Sequence, residues 1–215
     1  MNPVTFDAPA PTGPDVGAPA ASTREHDLEL ARRAAAGDRA AQRALFVAQR
    51  AHVHRALFRI LGSNRDLEDL VQDAFIEILR ALPSYRGDST LRRWCQTIAV
   101  RVAYLAIGRR RAPAVDLALV EDTVAGGPDL ARHAQAREAA RRLYAALDRV
   151  EAKQRIAFAL AVIDGNSLAE VAALTDSTVF AVKTRVWRAR RELARRAHND
   201  PVLAAYLADL SGGAP

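Results

Sequence analysis

Six side chains between Phe180 and Arg191 have the types and spacing of a surface that reads nucleic acid. Phe180, Lys183, Thr184, Trp187, Arg188 and Arg191 recur at steps of three and four, so on a helix most of them share one face. Arg can pair with a guanine edge, Lys and Arg neutralise phosphate, and an aromatic ring can meet a thymine methyl or a sugar. Val182, Val186, Ala189 and Leu193 occupy the other side at the same period and form the stripe to be buried. A Trp turned to water among cations marks a surface meant to be covered by a partner. The plainer alternative is a solvated Arg-rich helix with an incidental Trp.

Such a face needs a frame. Leu168, Val171, Ala172 and Leu174 predict a short helix upstream, and Thr175, Asp176 and Ser177 predict the turn, with Asp able to take the left-handed conformation. Thr178 then caps the longer helix. Residues 167–191 therefore read as a helix-turn-helix.

Two further groups lie earlier in the chain. Leu67, Leu70, Val71, Ala74, Phe75, Ile78, Leu79 and Leu82 predict an amphipathic helix, with Ser63 as its cap and Pro83 ending it. Opposite that stripe, Asp69, Gln72, Asp73 and Glu77 make an acidic face able to accept paired hydrogen bonds from Arg on another protein. An ordinary solvated face is the competing reading. The next helix turns Leu91, Trp94, Cys95, Ile98, Val102 and Leu105 inward and Arg93, Thr97, Val100, Tyr104 and Arg111 outward. Cations there could hold phosphates while Tyr104 and the Tyr85 loop stack an unpaired base; packing of Tyr104 on a neighbouring helix is the rival.

Composition sets the bounds. A net charge of +6 favours an anionic partner, although only Lys153 and Lys183 are lysines and the Arg and Ala bias has no necessary functional cause. Placement of Arg therefore counts for more than its number. The single cysteine, Cys95, excludes an intramolecular disulfide framework and reads as an inert buried thiol, in keeping with a cytoplasmic protein. No apolar run reaches the length of a membrane span, and residues 1–24 lack the pattern of a signal peptide.

The chain is expected to be all-α, as two small helical domains joined by a flexible acidic linker. Residues 1–22, rich in Pro, Ala and Gly, are expected to be a disordered tail. The first domain spans 23–111, opening with a capping box at Ser22 and Glu25. The linker covers 112–130, the second domain 131–198, and a tail 199–215 carries a possible short helix.

The segments Asp69 to Phe75, Tyr85 to Gly87 and Leu91 to Ala99 resemble region 2 of bacterial sigma factors of the extracytoplasmic-function group. Leu147, Arg155, Phe158 and Leu160, then Glu170 to Ala172 and Val182 to Arg190, resemble their region 4. Together they cover roughly 27–197 in the family's order, and two weak motifs in order are more specific than either alone. The resemblance implies a subunit that binds core RNA polymerase, directs it to promoter DNA and assists melting, without enzymatic activity and without cofactor or metal. It implies that Asp69, Gln72, Asp73 and Glu77 face the β′ clamp, and that region 4 meets the β flap. It assigns Tyr85, Arg93, Thr97, Arg101, Tyr104 and Arg109 to the minus-ten element, and the six residues of the opening paragraph to the minus-thirty-five element. Arg101 and Leu105 stand where the family usually has Asn and Asp, which leaves the minus-ten sequence open. Many members are restrained by an anti-sigma factor.

Two other readings compete. A helix-turn-helix regulator that never touches polymerase has no need of the Asp69 and Leu91 segments. A helical metallohydrolase on His52, His54, Asp69 and Asp73 fares worse, since His52 and His54 point nearly opposite ways on a helix and no HExxH, CxxC or P-loop occurs.

Overall fold

The computed structural model describes residues 21–63, 66–109 and 130–212, and these form helices joined by short turns, with no strand among them. Residues 1–20 of the expected N-terminal tail and almost all of the expected linker lie outside the described residues, while Ala21 and Ser22, expected in that tail, begin the first helix.

The first domain packs α1 (Ala21–Ala35), α2 (Arg39–Leu61), α3 (Leu67–Ala81) and α4 (Leu91–Arg109) around one apolar core. Helix α1 begins at Ala21, so Ser22 lies in its first turn and not at its cap. Asp38 starts α2: its carboxylate accepts the N–H groups of Ala40 and Ala41 at 2.8 and 3.1 Å. The Arg33 guanidinium bonded to the same carboxylate holds Asp38 below the usual carboxylate range. Gly62 ends the helix in the left-handed conformation at φ 63°, as a C-terminal glycine does. The carboxylate of Asp27 in α1 accepts the Leu91 N–H at 2.8 Å and so fixes the start of α4.

Helix α3 has the expected stripe. Leu67, Val71, Ala74, Phe75 and Ile78 are buried, while Leu79 at the edge of the stripe is exposed. Its cap is corrected: Asp66, in the left-handed conformation, precedes the first turn, and the buried Ser63 lies too far upstream. Pro83 stands in a short 3-10 turn, Leu82–Ser84, that closes the helix.

Helix α4 is buried over a wider arc than its sequence suggested. Ala99, Val100 and Ala103 join Leu91, Cys95, Ile98 and Val102 inside, because α2 and α3 cover α4 from two sides. Val100, expected on the wet face, is therefore a core residue, and Leu105, expected inside, is exposed. Burial pushes the Cys95 thiol up to about 12, so no reactive thiolate forms near neutral pH.

The second domain consists of α5 (Leu130–Leu147), α6 (Ala152–Phe158) running into a π-helical turn at Ala159–Ile163, α7 (Leu168–Leu174), α8 (Val179–Ala197) and α9 (Pro201–Gly212). The short C-terminal helix forms as expected, with the Asp200 carboxylate accepting the Leu203 N–H at 3.1 Å. It packs on α5 and α8, and Arg142 of α5 holds Asp200 at 2.9 Å.

The helical phase of α3 decides which of its residues face outward. Ile78 is fully buried and Ile76 is 46% exposed. Ile78→Ala is expected to cost about 2–5 kcal/mol in chemical denaturation, as for deletion of a buried aliphatic side chain. Ile76→Ala is expected to stay within about 0.5 kcal/mol of the parent, as for a surface change.

Candidate functional site

The helix-turn-helix is held by short-range bonds that its sequence supplies. Ser167 Oγ accepts the Glu170 N–H at 3.2 Å, and the Glu170 carboxylate accepts the Ser167 N–H at 2.8 Å, which closes a capping box at the start of α7. Sequence reasoning missed this box, although the Ser-x-x-Glu signal is present. Asp176 takes φ 47° in the turn, and Arg185 of α8 donates to Ser177 Oγ at 2.6 Å, tying turn to helix. Thr178 Oγ1 accepts the Ala181 N–H at 3.1 Å and caps α8 as expected.

Helix α8 then divides as its sequence indicated. Val182, Ala189 and Leu193 are buried and Val186 is partly buried. Phe180 is 79% exposed and Trp187 57% exposed, with Lys183, Arg188 and Arg191 also at the surface and Thr184 half-buried. The Arg191 guanidinium lies 5.5 Å from the centre of the Trp187 ring, so the exposed aromatic carries a cation on its face.

The other two groups meet in one groove of about 400 Å³. Asp73 and Glu77 of α3 line one wall, and Arg93, Thr97, Arg101 and Arg109 of α4 line the other. Ala173 and Asp176 of the helix-turn-helix form a third wall. Asp69 and Gln72 are exposed on α3 outside the groove, and Tyr104 is exposed on α4 outside it. Ile76, which the sequence reading passed over, lies seven residues after Asp69 and shares the face of Asp69, Gln72 and Asp73, adding an exposed apolar group to it.

Two residues depart from expectation. Tyr85 is buried: its ring packs 5.4 Å from that of Trp94, and its hydroxyl donates to the Ser89 carbonyl at 2.7 Å. Burial raises its pKa, and it supports the loop where a stacking surface was expected. Arg93 is also engaged, donating to the Glu170 carbonyl at 2.9 Å, with its guanidinium 3.9 Å from the Glu170 carboxylate. Arg111 lies outside the described residues.

Comparison with known proteins accounts for this pairing of a groove with a helix-turn-helix. The model of sigma-70 region 2 matches residues 45–112, and that of sigma-70 region 4 matches residues 140–193. The extracytoplasmic-function RNA polymerase sigma-E factor of Escherichia coli K12 is 32% identical over 176 residues, spanning 78% of this chain and 92% of that protein. The chain belongs to the extracytoplasmic-function sigma factors. This sigma factor is also 26% identical to the RNA polymerase sigma-H factor of Pseudomonas aeruginosa, over 80% of its own length and 93% of the relative's. Among solved structures, CnrH in complex with the cytosolic domain of CnrY matches at TM-score 0.56 and 26% identity, over 81% of this chain and 98% of CnrH. The sigma factor RpoE of Bartonella quintana, solved with the anti-sigma factor NepR, shares the fold at TM-score 0.52 and 22% identity, over 72% and 95% of the two chains.

The capping box gives the sigma factor's helix-turn-helix a pH dependence. Bonding from Ser167 holds the Glu170 carboxyl below its ordinary range, and nearby Arg93 lowers it further. A depressed carboxyl contributes stability above its unfolded pKa and loses it as pH falls through the folded value. Ser167→Ala is expected to cost about 0.5–2 kcal/mol near pH 7. Thermal melts taken from neutral to acid pH should show the parent losing stability as Glu170 protonates, with Glu170→Gln losing less over the same range.

Proposed function

We propose that this sigma factor joins core RNA polymerase, brings it to a specific set of promoters and assists strand separation at the minus-ten element. The observation that carries this reading is a single one. A helix-turn-helix with an exposed aromatic and cationic face stands in the same chain as a groove that carries Asp73 and the Glu77–Arg80 ion pair on one wall and Arg93, Arg101 and Arg109 on the other.

In this reading α8 lies in the major groove of the minus-thirty-five element. Arg188 pairs with a base edge, Lys183 and Arg191 meet phosphates, Phe180 and Trp187 give apolar contact, and Thr184 hydrogen-bonds at the margin. Asp69, Gln72 and Asp73, with Glu77 at the edge, face basic groups of the β′ clamp, and Ile76 supplies apolar contact among them. Arg93, Thr97, Arg101 and Arg109 follow the backbone of the melted minus-ten strand, while Tyr104 offers a ring to an unpaired base. Tyr85 serves by packing Trp94 into place. A contact between the second domain and the β flap completes the docking.

The protein acts in the cytoplasm as a binding subunit and performs no covalent chemistry. In both solved relatives a second polypeptide is bound, and in one of them it is named an anti-sigma factor. A restraining partner of that kind is proposed here as well. The alternative of a free-standing helix-turn-helix regulator is disfavoured by the region 2 match, for which such a protein has no use.

The division of labour is testable in reconstituted holoenzyme. Arg188→Ala is expected to weaken recognition of the minus-thirty-five element by about 1–3 kcal/mol, with core polymerase binding unchanged. Asp73→Ala is expected to weaken core binding while the isolated chain's affinity for a minus-thirty-five duplex is retained. Equal loss of both functions in either variant contradicts the assignment.

A further inference from the structure

We infer that Phe180 is a specificity residue: its ring reads the 5-methyl group of a thymine in the major groove, about three base-pair steps from a second thymine read by Trp187. This rests on the assignment of α8 to the minus-thirty-five element made above.

Phe180 is the most exposed large apolar side chain among the described residues, at 79%. Nothing in the fold requires it there. It lies in the first turn of α8, which is already capped by Thr178 through the Ala181 N–H. Val182, Ala189 and Leu193 supply the buried stripe without it. Trp187 differs, since the Arg191 guanidinium lies over its ring; among the described residues no aromatic ring or cation lies over that of Phe180. A bare phenyl ring held in water gains by being covered.

The cover has to suit the charge around the ring. From Phe180 to Arg191 the outward face carries Lys183, Arg188 and Arg191 and no carboxylate. The one acidic residue of α8, Glu192, is held by Arg195 and Arg196. An apolar protein surface laid on that face would strip water from three cations that have no counter-charge, a costly step. A duplex brings phosphates to them.

Within the major groove the choice narrows to one group. Base edges present donors and acceptors there, and thymine alone adds a methyl. A phenyl ring against a polar edge removes its water and returns no hydrogen bond. Against the methyl it buries apolar surface on both sides. The N-terminal part of a recognition helix is the part that reaches base edges, and Phe180 lies in it. Trp187 follows seven residues later, which on a helix is about 10.5 Å along the axis and only about 20° around it. Both rings therefore point the same way, with Lys183 and Thr184 between them. A helix following the groove sets them about three steps of 3.4 Å apart.

The test uses holoenzyme assembled from the full chain and core polymerase, with a promoter fragment taken from the chain-dependent start sites. Each thymine of the upstream element is replaced in turn by deoxyuridine, which keeps the base pair and removes only the methyl, and the affinity of each duplex is measured. Two replacements about three base pairs apart are expected to weaken binding by about 4-fold each, the worth of about 0.8 kcal/mol for one buried methyl. With Phe180→Ala the effect should vanish at one of the two positions and persist at the other; with Trp187→Ala the positions exchange. Phe180→Leu, which keeps an apolar side chain in place, should retain most of the first effect.

An upstream element without thymines at that spacing overturns the inference, as does deoxyuridine tolerated at every position or a methyl effect that Phe180→Ala leaves intact. Loss of both effects in Phe180→Ala also overturns it, because the ring would then be holding the helix and not reading a base. Absence of any chain-dependent start site would count against the sigma reading instead. The deoxyuridine scan is then run on duplexes that the free chain selects from a random pool, and its outcomes keep the same meaning.

Discussion

The two domains are joined through the C-terminal turn of α2, and the placement of both proposed DNA surfaces follows from how that turn is satisfied. Three helix-end carbonyls and a left-handed glycine face a tyrosine and an arginine contributed from across the junction. Arg155 is only 2% exposed, a costly place for a charge unless every donor finds a partner. Here Asp148 and two backbone carbonyls provide those partners, so the guanidinium fork is held in one orientation. Removing one partner of such a pair leaves a buried charge uncompensated, typically a loss of about 3–5 kcal/mol. The junction is thus specific as well as apolar.

From that junction the electrostatic layout takes its form. The net charge of +6 says little about where DNA would lie, because basic residues occur on α1 to α6 as well as on α8. What differs from place to place is their engagement. Many arginines are committed to carboxylates on their own domain, such as Arg50 with Glu68 and Arg141 with Glu138. Bonding from Arg141 and Arg142 holds the Glu138 carboxyl down at about 2. On α8, by contrast, Arg191 stands over an exposed indole ring. Cations beside exposed aromatics, next to a helix-turn-helix, distinguish that surface from a merely solvated one.

Periodicity carried most of the fold. The stripe of α3 and that of α8 were legible because the buried residues of each recur at three- and four-residue steps, so a single apolar row marks the inner face. Helix α4 was harder for the opposite reason. With α2 and α3 of its own domain and α6 and α7 of the other all against it, Val100 and Ala103 are buried as deeply as the large residues, and no one-sided pattern predicts that. Turn chemistry was readable at Thr178 and Asp176, whose side chain and backbone act locally. Contacts across the junction were not. Arg155 and Tyr144 bond to carbonyls some ninety residues away, and no spacing in the sequence announces such partners. Tyr85 shows the same limit: its type suits base stacking, but the ring of Trp94 claims it.

The central claim is that this chain gives core polymerase its promoter choice, and its most direct measurement is start-site sequencing of RNA made on genomic DNA. Core polymerase is supplied with and without the purified chain. The account predicts a small, reproducible set of new start sites that depends on the chain and shares one upstream and one downstream sequence element. Start sites identical with and without the chain, or chain binding to DNA with no polymerase recruited, would contradict it.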